Sequence, residues 1–390
     1  MNMRETNLDS PYIETSALPY KWNDFRQDLP HQKGDLNKRN WGHPWHSICS
    51  YQGKLKPSIA HTLVEALLPE SGGVMLDPFS GVGTIPFEAR LKGHKAFAFD
   101  ISPAAIAISR SKLEAFQIEE ISDELHRLSD WIQKNKFSLS NSDFSGIRFN
   151  GPLEDYFHPA TFAEIVSART YFLKYGYTNP ARAMVMSCLL HILHGNRPYA
   201  LSRRSHPITP FAPTGETIQH SLIEKLETKL QRVLKNAIGD SHQSKIYNQD
   251  AAGSWPSDVN NLDAIITSPP FFDSTRFYSA NWMRLWFSGW DAQDFSTKPA
   301  DFVEVKQKVN FSVYEPIFSQ SAERLKSGGY FALHLGKSVK CDMAKMIMEI
   351  GKKYLSIADF FDESVLHCES HGIRDKGSVT AHQYVLFQKK

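Results

Sequence analysis

A short polar and aromatic motif late in the chain could do chemistry. Residues 262–267, LDAIIT, are strand formers, and Ser268, Pro269, Pro270 and Phe271 follow them directly. The prolines restrict φ and lack N–H donors, so the backbone carbonyls have no neighbouring donors competing for them. A hydroxyl, rigid carbonyls and an aromatic ring could together grip a flat ring with a polar edge. A strand that merely ends in a Pro-Pro turn has the same residues, so the motif alone leaves both interpretations open.

A glycine-bearing turn earlier in the chain could hold a second ligand. In LDPFSGVGT, residues 76–84, Asp77 ends an apolar strand, and Gly81 and Gly83 precede Thr84 at the start of a helix. Glycines let the backbone approach a ligand closely, and free N–H groups at a helix start bind anions. The spacing matches neither GxxxxGK[ST] nor GxGxxG, so the common phosphate-binding motifs fit poorly. A plain strand-to-helix turn is the alternative.

Acidic residues follow three predicted strands. Asp77 ends the first, Asp100 ends the second in AFAFDIS, and Asp250 follows the third in IYNQDAA. Ligands of open α/β sheets bind at the carboxyl ends of the strands. A carboxylate there can accept hydrogen bonds from ribose hydroxyls, as we expect for Asp100, or from an adenine amino group, as we expect for Asp250.

The elements that position these residues form an α/β fold. GGVMLDPFSGVGTIPFEARLKGHKAFAFDIS predicts strand, turn, helix and strand, a βαβ unit typical of parallel sheets. We predict one doubly wound, mostly parallel sheet carrying a helical insert. Residues 1–45 are expected to form a polar arm that lies on the surface or is partly disordered. Residues 46–118 and 241–390 would form the sheet domain, and residues 119–240 the mainly helical insert.

Composition excludes several classes of protein. A hydrophobic fraction of 41% indicates a globular chain, and a formal net charge of +2 gives no overall attraction to nucleic acid. The four cysteines form no CxxC pair, which argues against a zinc site and a disulfide framework. There is no secretory signal and no apolar run near the ~20 residues of a membrane span. We therefore expect a soluble, cytoplasmic protein without a metal.

Taken together, the motifs are recognisable. DPFSGVGT followed by AFAFD resembles S-adenosylmethionine-dependent methyltransferases, and the phrase DPFxGxGT looks most like the branch that methylates exocyclic amino groups of DNA bases. The resemblance implies a class I, Rossmann-like methyltransferase fold with S-adenosyl-L-methionine as cofactor. The cofactor-binding residues that it implies are Lys56, Ser58, Asp77, Phe79, Gly81, Gly83, Thr84, Asp100 and Asp250.

The SPPF motif resembles the catalytic motif of the same enzymes. The resemblance implies that Ser268 and the Pro269 carbonyl orient the amine for direct in-line transfer, that Pro270 stiffens the turn, and that Phe271 stacks on a base flipped out of double-stranded DNA. The serine form is most typical of cytosine-N4 enzymes, whereas adenine-N6 enzymes more often have Asp or Asn. No cysteine follows a proline, which disfavours the covalent route to cytosine C5. A cognate restriction endonuclease would be a natural partner.

A basic loop in the insert is the candidate nucleic-acid surface. GNRPYALSRRSHPITPFAP contains Arg197, Arg203, Arg204 and His206 among prolines and aromatic residues. Arginine suits both phosphate and guanine edges, although a run of charge is often only a solvated face. Beyond the SPPF motif, Arg276 and Tyr278 could contact phosphate or the flipped base. Four apolar residues after them have helical spacing and are expected in the core: Trp282, Leu285, Trp286 and Phe287.

The insert departs from the family pattern, because it lies between the Asp100 and Asp250 strands, inside the cofactor half. The resemblance therefore covers residues 50–110 and 245–390 and leaves target recognition unassigned. Three other functions stay open: adenine-N6 methylation of DNA, guanine-N2 methylation of RNA, and a non-catalytic nucleic-acid-binding protein that retains the cofactor pocket.

Overall fold

A computed structural model of the protein describes residues 18–135, 144, 146–196, 198–239, 243–272, 277–365 and 379–390. The strands in these ranges are β1 (Val74–Asp77), β2 (Lys95–Asp100), β3 (Lys245–Asn248), β4 (Leu262–Thr267), β5 (Leu325–Ser338), β6 (Ser356–Ser364) and β7 (Val379–Gln388). The α-helices are α1 (Tyr20–Asp28), α2 (Pro57–Leu67), α3 (Thr84–Leu91), α4 (Pro103–Leu113), α5 (Ile118–Lys134), α6 (Pro159–Tyr175), α7 (Pro180–Ile192), α8 (Leu222–Leu234), α9 (Phe277–Ala280), α10 (Trp282–Phe287), α11 (Asp294–Thr297), α12 (Val303–Val309), α13 (Glu315–Arg324) and α14 (Met343–Gly351).

The strands form one sheet in the order β3-β2-β1-β4-β5-β7-β6. Only β7 is antiparallel to its neighbours, β5 and β6. The expected doubly wound, mostly parallel α/β sheet is thus confirmed. The strand order reverses between β1 and β4, which pair directly. Open α/β sheets bind ligands at such a reversal, beyond the carboxyl ends of the strands, and the glycine turn and the SPPF motif both begin there.

The insert helices pack on the sheet domain rather than forming a separate core. Residues of α5, α6, α7 and α8 belong to the same buried hydrophobic cluster as α4. The four residues expected in the core, Trp282, Leu285, Trp286 and Phe287, are buried in this cluster too. The insert is therefore continuous with the layer that covers one face of the sheet, while its boundaries at 119 and 240 stay predictions.

The N-terminal segment differs from the expected surface arm. Within it, α1 buries Trp22 and Phe25, which are 0% and 2% exposed. The Trp22 indole donates to Asp359 of β6 at 2.8 Å, and Arg26 donates to the same carboxylate at 2.6 Å. Two aromatic residues three positions apart lie on one helix face, and this short pattern is easily overlooked among polar neighbours. From residue 18 on, the arm is a packed part of the molecule.

Trp22→Ala is expected to lower the free energy of unfolding by about 3–5 kcal/mol, because it leaves a cavity and removes a buried hydrogen bond. Lys21→Ala, an exposed neighbour on the same helix, should change it by less than about 0.5 kcal/mol. Urea unfolding followed by tryptophan fluorescence and circular dichroism measures both. Equal, small effects of the two substitutions would restore the surface-arm interpretation.

Candidate cofactor and active site

The glycine turn between β1 and α3 leaves backbone open to a ligand. Gly81 has φ +52°, and a Cβ atom placed on it would meet no atom within 4 Å. Gly83 precedes α3 with φ +68°, and a Cβ atom there would lie 2.8 Å from the Ser109 hydroxyl of α4. The same hydroxyl donates to the Gly81 carbonyl at 2.8 Å. Gly83 thus allows close helix packing, whereas Gly81 faces free space.

Two carboxyl groups, that of the buried Asp77 and that of the half-buried Asp100, stand on either side of this turn. Asp77 accepts from the Phe79 N–H at 3.1 Å and from the Thr267 hydroxyl of β4 at 2.6 Å. Asp100 accepts from the N–H groups of Gly81 at 2.9 Å and Ser102 at 2.7 Å. Burial raises the pKa of both carboxyls to about 7, against the opposing effect of these hydrogen bonds. Each group is therefore poised between its neutral and ionised forms near neutral pH.

The third acid, Asp250, lies two residues beyond the end of β3. Its carboxylate accepts from the Ala252 N–H at 3.0 Å and pairs with Lys306 of α12 at 3.0 Å. The Asp250 side chain is 37% exposed, unlike Asp77. The three acids do end neighbouring strands, as the sequence predicted, but Asp250 stands at a more open position.

A pocket lies between the carboxyl ends of β1 and β4. Five of the predicted site residues line it, namely Asp77, Phe79, Gly81, Thr84 and Ser268. The other wall includes Tyr51, Lys54 and Phe277, none of which is among the predicted site residues. The Tyr51 hydroxyl lies 2.9 Å from the Ser102 hydroxyl, and its ring meets the Phe277 ring edge-on at 5.1 Å. The glycine turn and the SPPF motif therefore share one pocket.

The lysine on the pocket wall is not the predicted one. Lys56 directs its ammonium group to the His31 carbonyl at 2.7 Å, and Ser58 is fully buried in α2. Neither residue lines the pocket. Lys54 does, and it donates to the His46 carbonyl at 2.7 Å, while burial lowers its pKa. A sequence pattern places a loop residue only to within one or two positions, which explains the difference.

The SPPF motif is held from behind by buried side chains. The Ser268 hydroxyl lies 2.9 Å from Nδ1 of His334 on β5. The Pro270 carbonyl accepts from Gln307 of α12 at 2.9 Å. The Phe271 ring packs on Gly336, where an added Cβ atom would come within 2.5 Å of it. Phe271 is half-buried, so one part of its ring is already in contact with the protein.

Helix α12 fixes three parts of the site at once. Glu304 accepts from the Phe277 N–H at 3.1 Å, Lys306 pairs with Asp250, and Gln307 holds the Pro270 carbonyl. Gln307 also accepts from the buried Tyr314 hydroxyl at 2.9 Å. These polar residues come from a short, ordinary segment, VEVKQKV, whose sequence gives no sign of this role.

The residues predicted to bind nucleic acid differ in exposure and in whether their side chains already bond to the protein. Arg203 donates to the carbonyls of Gly215 at 3.0 Å and Asp155 at 3.1 Å, so it stabilises the loop itself. Arg204 and His206 are exposed, whereas Tyr278 is half-buried against the hydrophobic core. Arg197 and Arg276 lie outside the described residues.

A buried arginine anchors the basic loop. Arg284 of α10 is fully buried and donates to the carbonyls of Ile208 at 2.9 Å and Pro207 at 3.2 Å. Asn150 donates to the Pro210 carbonyl at 2.8 Å. Hydrogen bonds to several backbone carbonyls thus fix the backbone of the loop that carries Arg204 and His206.

None of the described helices is both long and apolar enough to cross a bilayer. Among the described ranges, no group of three or more His, Cys, Asp or Glu side chains could hold a metal ion.

One part of the chain matches a known family of methyltransferase domains. Residues 44–134 match the family model described as UPF0020: RMKL-like, methyltransferase domain. This range contains the glycine turn, Asp77, Asp100, Tyr51 and Lys54. No curated protein matches the chain.

Solved structures resemble the chain only distantly. A TehB-like SAM-dependent methyltransferase from Corynebacterium glutamicum is 10% identical, with 85% of this chain and 87% of that chain covered and a TM-score of 0.33. TrmN from Thermus thermophilus is 12% identical, with 89% and 52% covered and a TM-score of 0.33. The rRNA methyltransferase aviRa from Streptomyces viridochromogenes is 11% identical, with 91% and 93% covered and a TM-score of 0.34. Similarity at this level carries no argument about substrate.

Groups suited to S-adenosylmethionine lie in and beside the pocket. Gly81 offers open backbone, the Asp100 carboxyl accepts from the Gly81 N–H just outside the lining, and Tyr51 and Lys54 form the opposite wall. Residues 44–134 thus carry a methyltransferase domain, S-adenosylmethionine is the cofactor of the protein, and this pocket is its candidate site.

The affinity for S-adenosylmethionine should rise with pH up to about 7 and then level off. If ribose hydroxyls donate to Asp100, they favour its ionised form, so binding releases a proton wherever the free carboxyl, with its pKa of about 7, is protonated. The slope can reach about tenfold per pH unit. Isothermal titration calorimetry between pH 5.5 and 8.5 measures it.

Asp100→Asn should weaken binding and flatten this dependence. Asp123→Asn is the matched control, because Asp123 is an exposed carboxylate on α5, and it should keep the dependence. A flat profile in the unmodified protein would exclude Asp100 as the ribose ligand.

Proposed function

We propose that this protein transfers a methyl group to an exocyclic amino group of a nucleic-acid base, with cytosine N4 of DNA as the substrate. One observation carries the proposal: Ser268 of the SPPF motif lines the same pocket as Gly81 and Phe79 of the glycine turn. An acceptor amine held at Ser268 would therefore lie beside the bound cofactor.

Methylation of an aryl amine depends on orientation more than on acid or base strength. S-adenosylmethionine supplies an electrophilic methyl group on a sulfonium. In the proposal, the Ser268 hydroxyl and the Pro269 carbonyl accept hydrogen bonds from the amine and turn its lone pair toward that methyl group. Gln307 keeps the Pro270 carbonyl in place, so the turn that presents these acceptors stays rigid.

The aromatic part of the motif has a more restricted role than the sequence suggested. Phe271 packs on Gly336 and meets the His334 ring at 5.4 Å. The proposal assigns only the remaining exposed part of its ring to a base that has been flipped out of the helix. Base flipping is required because a target amine stacked inside a duplex cannot enter a pocket.

The serine favours cytosine N4 over adenine N6 as the proposed target. A hydroxyl stands at the position where adenine-N6 enzymes more often have Asp or Asn. Two of the structures compared above are named as an rRNA methyltransferase and as TrmN, but their TM-scores favour neither RNA nor DNA. Tritiated S-adenosylmethionine, offered with unmethylated plasmid DNA and separately with total RNA, tests the choice after nucleoside analysis. N4-methyldeoxycytidine from DNA is the expected product; labelled methyladenosine alone, or labelled RNA alone, would refute the cytosine or the DNA assignment.

Ser268→Ala should lower kcat for methyl transfer by about 10–100-fold while leaving the affinity for S-adenosylmethionine nearly unchanged, because it removes an acceptor that orients the amine. The matched control is Ser257→Ala, at an exposed serine in the loop before β4, which should change neither quantity. Single-turnover kinetics and calorimetry measure the two quantities. A protein that only binds nucleic acid would transfer no methyl group in either form.

The loop anchored by Arg284 is the proposed contact with the nucleic-acid backbone. Its residues Arg204 and His206 are exposed, and the backbone carbonyl of Ile208 in the same loop accepts a hydrogen bond from the buried Arg284. A cation presented from a fixed loop loses little conformational freedom when it pairs with a phosphate. The described geometry thus supports Arg204 rather than Arg203, whose guanidinium is already engaged by the loop.

Arg204→Gln should weaken nucleic-acid binding uniformly across sequences and reduce the slope of log K against log salt by about 1. Lys352→Gln is the control, because Lys352 follows α14 near the start of β6, at the end of the sheet opposite the pocket. Fluorescence anisotropy at several salt concentrations measures both. If the slope of log K against log salt is equal in the two variants, Arg204 does not contact the nucleic-acid backbone.

A further inference from the structure

The partner of Ser268 is a histidine in an unusual setting. His334 lies in the middle of β5, is 3% exposed, and has Nδ1 2.9 Å from the Ser268 hydroxyl. Its ring meets Phe271 at 5.4 Å and Tyr384 at 5.1 Å. The histidine thus stands directly behind the SPPF motif, on the side away from solvent.

The imidazole is held in its neutral form. Burial, reinforced by the nearby His382, keeps the pKa of His334 well below its usual range. A neutral imidazole has one N–H donor and one bare nitrogen acceptor. The bond to Ser268 therefore has a direction, and that direction determines what the serine oxygen can offer to a substrate.

We propose that His334 is a positioning residue: its Nδ1 accepts a hydrogen bond from the Ser268 hydroxyl, which leaves the lone pairs of the serine oxygen facing the pocket. This inference rests on the proposed function, in which Ser268 accepts a hydrogen bond from the amine. A freely rotating hydroxyl could instead point its own proton at the amine and repel it. The bond to His334 removes that orientation.

The other ring nitrogen has a suitable neighbour for this tautomer. Nε2 of His334 is buried without a hydrogen-bond partner among the described residues. The His382 ring lies 4.8 Å away with an interplanar angle of 80°. A ring N–H can point at the face of an aromatic neighbour in such an edge-to-face pair, a weak hydrogen bond that partly replaces an oxygen acceptor.

The pair differs from the serine–histidine arrangement of a nucleophilic enzyme. In that arrangement the histidine becomes a cation while it holds the serine proton, and a carboxylate stabilises the cation through the second ring nitrogen. Here the second nitrogen has no carboxylate partner in the described part of the chain, and burial opposes the cation. His334 can orient the hydroxyl but is unsuited to activating it as a nucleophile.

Nitrogen NMR of protein labelled with ¹⁵N-histidine tests the direction of the bond without any substrate. The expected result at neutral pH is a bare Nδ1 and a protonated Nε2 on His334, with the Nδ1 signal shifted in Ser268→Ala. The signal is assigned by its loss in His334→Asn. A protonated Nδ1, or a signal that ignores the serine substitution, would overturn the inference.

Kinetics on the nucleic acid that the unmodified protein labels, plasmid DNA or total RNA, tests the function of the bond. His334→Leu should lower kcat by about 10–100-fold, with KM for the nucleic acid and Kd for S-adenosylmethionine changed by less than about twofold. His334→Asn, whose amide can occupy the place of Nδ1, should recover most of the rate. His334→Gln, whose amide reaches the place of Nε2, should recover little.

The double variant Ser268→Ala/His334→Leu separates positioning from a general effect on folding. It should be no slower than Ser268→Ala alone, because the two residues act through one hydrogen bond. A further loss in the double variant, or equal rates in the Asn and Gln variants, would contradict the inference. If the unmodified protein labels neither DNA nor RNA, the proposed function fails, while the NMR result still decides the direction of the bond.

Discussion

The hydrogen bond between Asp77 and Thr267 joins the two halves of the site. Asp77 ends the strand that leads into the glycine turn, and Thr267 ends the strand that leads into the SPPF motif. Parallel strands β1 and β4 bring these ends together at the point where the strand order reverses. The bond is buried, so it is strong relative to a solvated one, and it fixes the spacing between the cofactor side and the acceptor side.

Burial then sets the charge state of the groups around the pocket. It raises the pKa of Asp77 and Asp100 to about 7, lowers that of Lys54, and holds that of His334 well below its usual range. Each shift favours the neutral form of the group, because a charge that is removed from water loses its hydration. Burial thus makes a charge on any of these four groups less favourable than it would be in water.

The sequence predicted the sheet and the residues at its strand ends, because both depend on local patterns. The apolar runs before Asp77, Asp100 and Ser268 are strands, and their adjacency follows from parallel pairing. Contacts between distant segments were not predictable. Gln307 reaches Pro270 from α12, and His334 reaches Ser268 from β5. A histidine inside the apolar strand FALHLG was the one local sign of a buried polar contact, and Trp22 three residues before Phe25 was the one sign that the N-terminal segment packs.

That segment ties the beginning of the fold to its end. Trp22 and its acceptor Asp359 are separated by 337 positions in the sequence, and Glu363 of β6 pairs with His31 at 2.8 Å. Contacts of such sequence separation form late, because a long stretch of chain must first be ordered. During synthesis, α1 leaves the ribosome long before β6 exists, so α1 can pack on α2 early but lacks its hydrogen-bond acceptor on β6 for most of that time. Docking of this helix on β6 therefore marks the completion of the sheet.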